Sequence, residues 1–208
     1  MVKYELFYFP IAARAEPIRA ILDYANVDWA NRVPKEWPAE KDSTPFGQLP
    51  VFTETDDQGG QLVLTESQAI ERYLARKFDL YGFDPVTDAR IDVVTSQWES
   101  IMNFYYGALF VKSQEEFFKG VFLTQAKILF VKHGEQLAKQ GNGYYVGNKI
   151  TWADLVGYVF LAQIKEGPYY DEELKTLAEP LEKYLVATLE KDPNFQRYQT
   201  LSKARLAQ

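Results

Sequence analysis

Between Asp79 and Pro85 the periodicity of this chain changes once and does not change back. Before that stretch, short segments with a two-residue apolar repeat alternate with segments that repeat every three or four residues. After it only the helical repeat remains. This division predicts a mixed α/β unit at residues 1–79, a linker at 80–85 and an all-helical unit at 86–208. In the first unit, Tyr4, Leu6 and Tyr8 alternate with Glu5 and Phe7 as a strand would, and Ile18, Ile21, Leu22 and Ala25 follow at helical spacing behind Pro17. Residues 28–33 read as a second strand closed by Pro34, and residues 37–41 as a short irregular helix. Val51-Phe52-Thr53 and Gln61-Leu62-Val63-Leu64 read as strands joined by the hairpin loop Asp56-Asp57-Gln58-Gly59-Gly60. Ile70, Tyr73, Leu74 and Phe78 close the unit with a helix, giving the order βαβαββα.

The helical unit opens with Ile91, Val94, Trp98, Ile101, Met102, Tyr105 and Leu109 along one face of a long helix. A second long helix runs from Phe117 to Leu137 and stops at Gln140-Gly141-Asn142-Gly143. Leu177, Leu181, Tyr184, Leu185 and Leu189 form a further stripe before Asp192-Pro193. Between them lies a well-specified helix start. Thr151 and Asp154 stand at capping-box spacing, Ile150 and Leu155 occupy the staple positions, and the apolar run that follows predicts a central helix. Asp154 is read as a folding signal.

Composition removes several kinds of chemistry. The net charge of −6 argues against a nucleic-acid or anionic-membrane partner. The longest apolar run, Leu155 to Ala162, is too short to span a bilayer. Lys3 and Glu5 fall where a signal peptide would be apolar, so the cytoplasm is the expected address. There is no cysteine, hence no disulfide, thiolate metal site or cysteine nucleophile. One histidine, His133, excludes a His-based zinc cluster, and no metal is expected.

One local feature points outward. In Phe46-Gly47-Gln48-Leu49-Pro50-Val51-Phe52 a proline stands at the entrance to a strand, where it cannot donate a ladder hydrogen bond. The backbone before it is left open to pair with a peptide-like ligand. Sixteen residues later Glu66-Ser67 opens a helix.

Six segments, taken in order, resemble the cytosolic glutathione transferases, the sigma class most closely. They are Tyr8-Phe9-Pro10, Arg14-Ala15-Glu16, Trp37-Pro38-Ala39-Glu40-Lys41, Pro45 to Pro50, Ser67-Gln68-Ala69-Ile70 and Gly147 to Asp154. The resemblance spans both predicted units and implies a thioredoxin-like βαβαββα domain followed by an all-helical domain. It implies glutathione as co-substrate, no permanently bound cofactor, and Tyr8 as the catalytic residue, its phenol donating to the glutathione sulfur. Trp37 and Lys41 match positions that contact the glycyl end. Gln48, Leu49 and Pro50 would hold the cysteinyl backbone, with Leu49 pairing through its own main chain. Ser67 would meet the γ-glutamyl carboxylate or simply cap its helix. Arg14 would favour the thiolate or form a structural pair with Glu16 or a carboxylate in the linker.

The resemblance also implies an electrophile pocket lined by Phe9, Ile11, Ala13, Met102, Tyr106, Val156 and Phe160, about half of which are expected to be ordinary core. Phe46 would anchor a homodimer or lie buried in its turn. Two departures stand out. Relatives usually have Gln where this chain has Glu66, and an aspartate, used across the dimer, where it has Ser100. Glu66 would then hold the γ-glutamyl ammonium from within the subunit. The implied activity is conjugation of glutathione to hydrophobic electrophiles. A glutathione-dependent isomerase of the prostaglandin D synthase kind and a non-catalytic carrier or structural protein are the alternatives.

Overall fold

The computed structural model describes residues 2–206, which divide into two compact units. The first comprises the chain up to Phe78 together with residues from Gln196 on, and the second runs from Asp79 to Phe195. The C-terminal helix thus contributes to the first unit as well as to the helical one.

The first unit is built on a four-stranded sheet of β1 (Lys3–Phe7), β2 (Trp29–Arg32), β3 (Val51–Thr55) and β4 (Gln61–Thr65), in the order β2-β1-β3-β4. Helix α1 (Glu16–Tyr24) is long enough to carry the chain back, so β1 and β2 pair in parallel. The five-residue loop after β3 folds directly back, so β3 and β4 pair antiparallel. That loop is fixed by Asp56, whose Oδ1 accepts from the amides of Gln58 at 2.9 Å and Gly60 at 2.7 Å. The irregular helix expected at 37–41 is a 3-10 segment, Ala39–Ser43. Helix α2 (Ser67–Lys77) completes the order and buries Ile70 and Leu74.

In the second unit, α3 (Pro85–Phe110) begins where Asp84 Oδ1 accepts from the amides of Val86 and Thr87 at 2.8 and 3.1 Å. Helix α4 (Glu115–Gln140) stops at Gly141, whose φ of 75° lets the chain leave in a left-handed turn. Helix α5 (Trp152–Glu166) has the expected capping box. Asp154 Oδ2 accepts from the Thr151 amide at 2.7 Å and Oδ1 from the Tyr145 amide at 2.7 Å. Ten of its fifteen residues are buried, so the apolar run does mark a core helix.

The last stripe resolves into three pieces. Helix α6 (Glu172–Leu181) contains Pro180, which has no N–H to donate, and the chain passes through a wider π-helical turn (Glu182–Val186) into α7 (Ala187–Leu189). Helix α8 (Pro193–Leu206) was not foreseen from sequence. The segment after Asp79 is not a loose tether, because Leu80 and Tyr81 are buried within the second unit. The Leu80 carbonyl accepts from the Trp152 amide at 2.6 Å.

His133, 2% exposed, belongs to the core of this unit. Trp98 Nε1 donates to the Tyr145 oxygen at 3.3 Å, and Tyr145 donates to His133 Nδ1 at 2.9 Å. Nε2–H then donates to Gln97 Oε1 at 3.1 Å. Every partner suits a neutral imidazole, and burial lowers its pKa to about 4.

Candidate active site

Strand register brings the candidate residues of the first unit to one edge of the sheet. Phe7 pairs with Val51 across the antiparallel β1–β3 ladder, so Tyr8, one residue past β1, falls level with Pro50. Val51 pairs with Thr65 across β3–β4, which sets Glu66 level with Pro50 on its other side. β2 ends at the same edge, where Tyr8 N–H donates to the Arg32 carbonyl at 3.0 Å. Tyr8, Pro50 and Glu66 therefore form a row across three adjacent strand ends.

Tyr8 is 5% exposed. Its ring meets Phe9 edge-on at 5.5 Å, Phe9 meets Trp37 in the same way at 5.6 Å, and Lys41 Nζ lies 5.8 Å from the Trp37 ring centroid. An aromatic path thus joins Tyr8 to an exposed cation. The turn between Lys41 and Leu49 is pinned by Thr44, whose hydroxyl donates to the Lys41 carbonyl at 2.8 Å. Phe46 projects from it, 73% exposed, and Gln48 is exposed beside it. The Leu49-Pro50 peptide is cis, and among the described residues no backbone hydrogen bond involves Leu49.

At the other end of the row, Glu66 is exposed and occupies the cap position of α2 with φ 66° and ψ 112°. That conformation is sparsely populated for any residue but glycine, and such strain costs on the order of 1–3 kcal/mol. Ser67, 8% exposed, is the first helical residue rather than the cap foreseen as one of its roles. No side chain caps this helix among the described residues, so its first-turn amides and the positive end of its dipole are available to an anion.

The remaining candidates are distributed as follows. Arg14 is half-buried in a single 3-10 turn, Ala13–Ala15, which opens on Ala13 at φ 38°. Phe9 is half-buried, Ile11 is 42% exposed and Ala13 is 9% exposed. In the helical unit Met102, Tyr106, Val156 and Phe160 are all buried. The Tyr106 hydroxyl donates to Gln163 Oε1 at 2.9 Å. Ser100 is exposed on α3.

Sequence reasoning missed Arg19. It is buried on α1 between Ile18 and Ala20, and both of its terminal nitrogens are engaged with the loop that follows β1. A signal was present, since Glu16 and Arg19 stand three residues apart among Ile18, Ile21 and Leu22, where a solvated face would not be apolar.

Known proteins resemble this chain in sequence and in fold. The glutathione S-transferase N-terminal domain profile matches residues 6–82, and the corresponding C-terminal domain profile matches residues 98–201. Probable glutathione S-transferase 7 of Caenorhabditis elegans is 40% identical over 164 residues, covering 75% of this chain and 77% of that protein. The sigma class glutathione transferase of Fasciola hepatica superposes with a TM-score of 0.73 at 26% identity, over 91% of this chain and 96% of that one. Prostaglandin synthase D of Nilaparvata lugens does so with a TM-score of 0.68 at 28% identity, over 92% and 98%. No described helix is long and apolar enough to cross a membrane. This chain belongs to the glutathione S-transferase family, and it is a glutathione transferase.

Proposed function

We propose that the chain binds glutathione along the edge marked by Lys41, Leu49 and Ser67 and holds its thiol as the thiolate through the Tyr8 hydroxyl. The sulfur then attacks the electrophilic carbon of a hydrophobic compound, whose leaving group departs with the bonding pair while the thiol proton goes to water. The observation that carries this reading is the row of Tyr8, Pro50 and Glu66 across three strand ends. Leu49 offers its main chain to the cysteinyl unit as a short added strand. Lys41 and the Trp37 indole meet the glycyl carboxylate, with Gln48 beside them. The α2 amides and Ser67 take the γ-glutamyl carboxylate, and Glu66 its ammonium. Arg14 lies in the turn leading to α1 and adds positive charge near the sulfur. Phe9 and Ile11 supply apolar surface for the second substrate.

The energetics are of a fitting size. A free thiol ionises near pH 8.5, and lowering that by about two units takes roughly 2.7 kcal/mol. One hydrogen bond to a charged acceptor contributes about 1.5–3 kcal/mol. Sigma-class character agrees with the Fasciola likeness, and the cytoplasm, where glutathione stays reduced, is the compartment this chemistry needs. The active form is a homodimer in which Phe46 of one copy enters a groove of about 690 Å³ between α3 and α4 of the other, lined by Val86, Val93 and Tyr145.

The test is turnover of glutathione with an aryl halide. Tyr8→Phe is expected to lose about 10- to 100-fold in kcat/KM at neutral pH, and Glu66→Gln to weaken glutathione binding severalfold. Unchanged turnover in Tyr8→Phe would overturn the mechanism. The likeness to a prostaglandin synthase favours one second reading, isomerisation by the same thiolate with glutathione released unchanged. Recovery of intact glutathione after turnover of an endoperoxide would distinguish it.

A further inference from the structure

The loop that follows β1 converges on a single buried side chain. Arg19, 3% exposed, donates through Nη2 to the Phe9 carbonyl at 2.9 Å and to Asn31 Oδ1 at 3.3 Å. Through Nη1 it donates to the Ile11 carbonyl at 2.6 Å and to Glu16 Oε2 at 3.2 Å. Those two carbonyls belong to the residues just beyond Tyr8, and the guanidinium carbon lies 5.7 Å from the centroid of the Tyr8 ring. Glu16 is held in turn from α8. Its Oε1 accepts from Ser202 Oγ at 2.6 Å and from the Tyr198 hydroxyl at 3.3 Å. All of these residues lie within the first unit.

We propose that Arg19 is a positioning residue for Tyr8, and that α8 completes the device by fixing Glu16. This rests on the reading of Tyr8 as the thiol-ionising group and deepens it. Phe9 packs edge-on against the Tyr8 ring, so a loop held at the Phe9 and Ile11 carbonyls also holds the direction of the phenol. Hydrogen bonds weaken steeply as their angle closes, so direction decides how well the sulfur anion is stabilised. The role is geometric rather than one of charge. The Glu16 carboxylate 3.2 Å away offsets the field of the guanidinium, and Arg205 of α8, 3.8 Å from Glu16 Oε1, is itself offset by Asp23 at 2.6 Å. The planar fork of Arg19, by contrast, reaches two carbonyls, an amide oxygen and a carboxylate at once. An ammonium group keeps the charge but lacks that fork.

The experiment measures the pH dependence of thiolate absorbance for bound glutathione, together with kcat/KM for an aryl halide. Wild type, Arg19→Lys, Ser202→Ala and Tyr8→Phe are compared, each with its glutathione Kd and melting temperature. Arg19→Lys is expected to keep its Kd within about threefold while the bound thiol titrates about one unit higher. Its kcat/KM then falls about fivefold at pH 6.5 and recovers above pH 9, where the thiol ionises unaided. A loss of structure alone would not recover with pH. Ser202→Ala, at a half-buried position, should move the thiol two- to threefold in the same direction.

A wild-type thiol titration in Arg19→Lys overturns the proposal, since charge without the fork would then suffice. If Arg19→Lys does not fold, Ser202→Ala decides, and an unmoved thiol there is also fatal. If Tyr8→Phe titrates like wild type, the reading of Tyr8 fails and this proposal with it. If Tyr8→Phe shifts and the other two do not, only the role of Arg19 is lost.

Discussion

Tyr145 joins two ionisable groups whose titrations oppose each other. Its hydroxyl donates to His133, and its amide donates to Asp154. Burial lowers the His133 pKa from 6.5 to about 4, so the unfolded chain takes up the proton first. That contribution to stability is complete above pH 6.5 and is lost as pH falls towards 4. Burial raises the Asp154 carboxyl from 3.8 to about 6, so here the folded chain takes up the proton first, and stability is gained as pH falls from 6 to 3.8. Each amounts to about 3 kcal/mol at about 1.36 kcal/mol per unit, and the two largely cancel in the wild type. Chemical denaturation between pH 7 and 4.5 should therefore show His133→Gln gaining stability relative to wild type as pH falls, and Asp154→Asn losing it. Parallel profiles for all three proteins would show that the pair does not titrate in this way. The capping role of Asp154 was legible from its spacing to Thr151. The network around His133 was not, because Gln97, Trp98 and Tyr145 come from separate segments and meet only through helix packing.

At the level of elements, two glycines of α4 give contrasting expectations. A Cβ on Gly134 would lie 2.8 Å from the Cβ of Pro180 in α6, and a proline ring cannot swing aside. A Cβ on Gly120 would meet nothing within 4 Å. Replacing glycine by alanine within a helix gains about 1 kcal/mol of propensity, while overpacking costs about 1–3 kcal/mol. Gly120→Ala should thus raise the melting temperature by a few degrees and Gly134→Ala should lower it, both read by thermal unfolding. A stabilising Gly134→Ala would show that α4 and α6 are not held so closely. The long helices were read from sequence because an apolar face repeats along them. The division of the stripe from Leu177 to Leu189 was not, because a π-helical turn keeps the leucines in line while changing the backbone beneath them. Helix α8 escaped notice for a related reason. Its buried anchors, Phe195 and Tyr198, stand among Asn194, Gln196, Arg197 and Gln199, so its apolar face is short.

For the whole molecule, the decisive expectation concerns assembly. Phe46 at 73% exposure, with Val86 at 61% and Val93 at 57%, is costly to leave in water at about 25 cal/mol per Å² of apolar area. Sedimentation equilibrium should give twice the 24.0 kDa chain mass for the wild type, and Phe46→Ser should shift the balance towards monomer. A wild-type monomer, or a Phe46→Ser dimer as tight as wild type, would remove Phe46 from the interface. The one-way change of periodicity near residue 79 determined, from sequence alone, a mixed α/β unit followed by helices, because burial must repeat with the geometry of each element. The order of the six segments from Tyr8-Phe9-Pro10 to Gly147–Asp154 likewise carried the resemblance to the family. Tertiary structure decided what stands beside what. Strand pairing set Tyr8, Pro50 and Glu66 level, although 58 residues separate the first from the last. Folding of α8 with the first unit brought Ser202 and Tyr198 to Glu16, and through it to Arg19. Local patterns record how each segment repeats, but a charge buried between distant segments leaves no periodic trace.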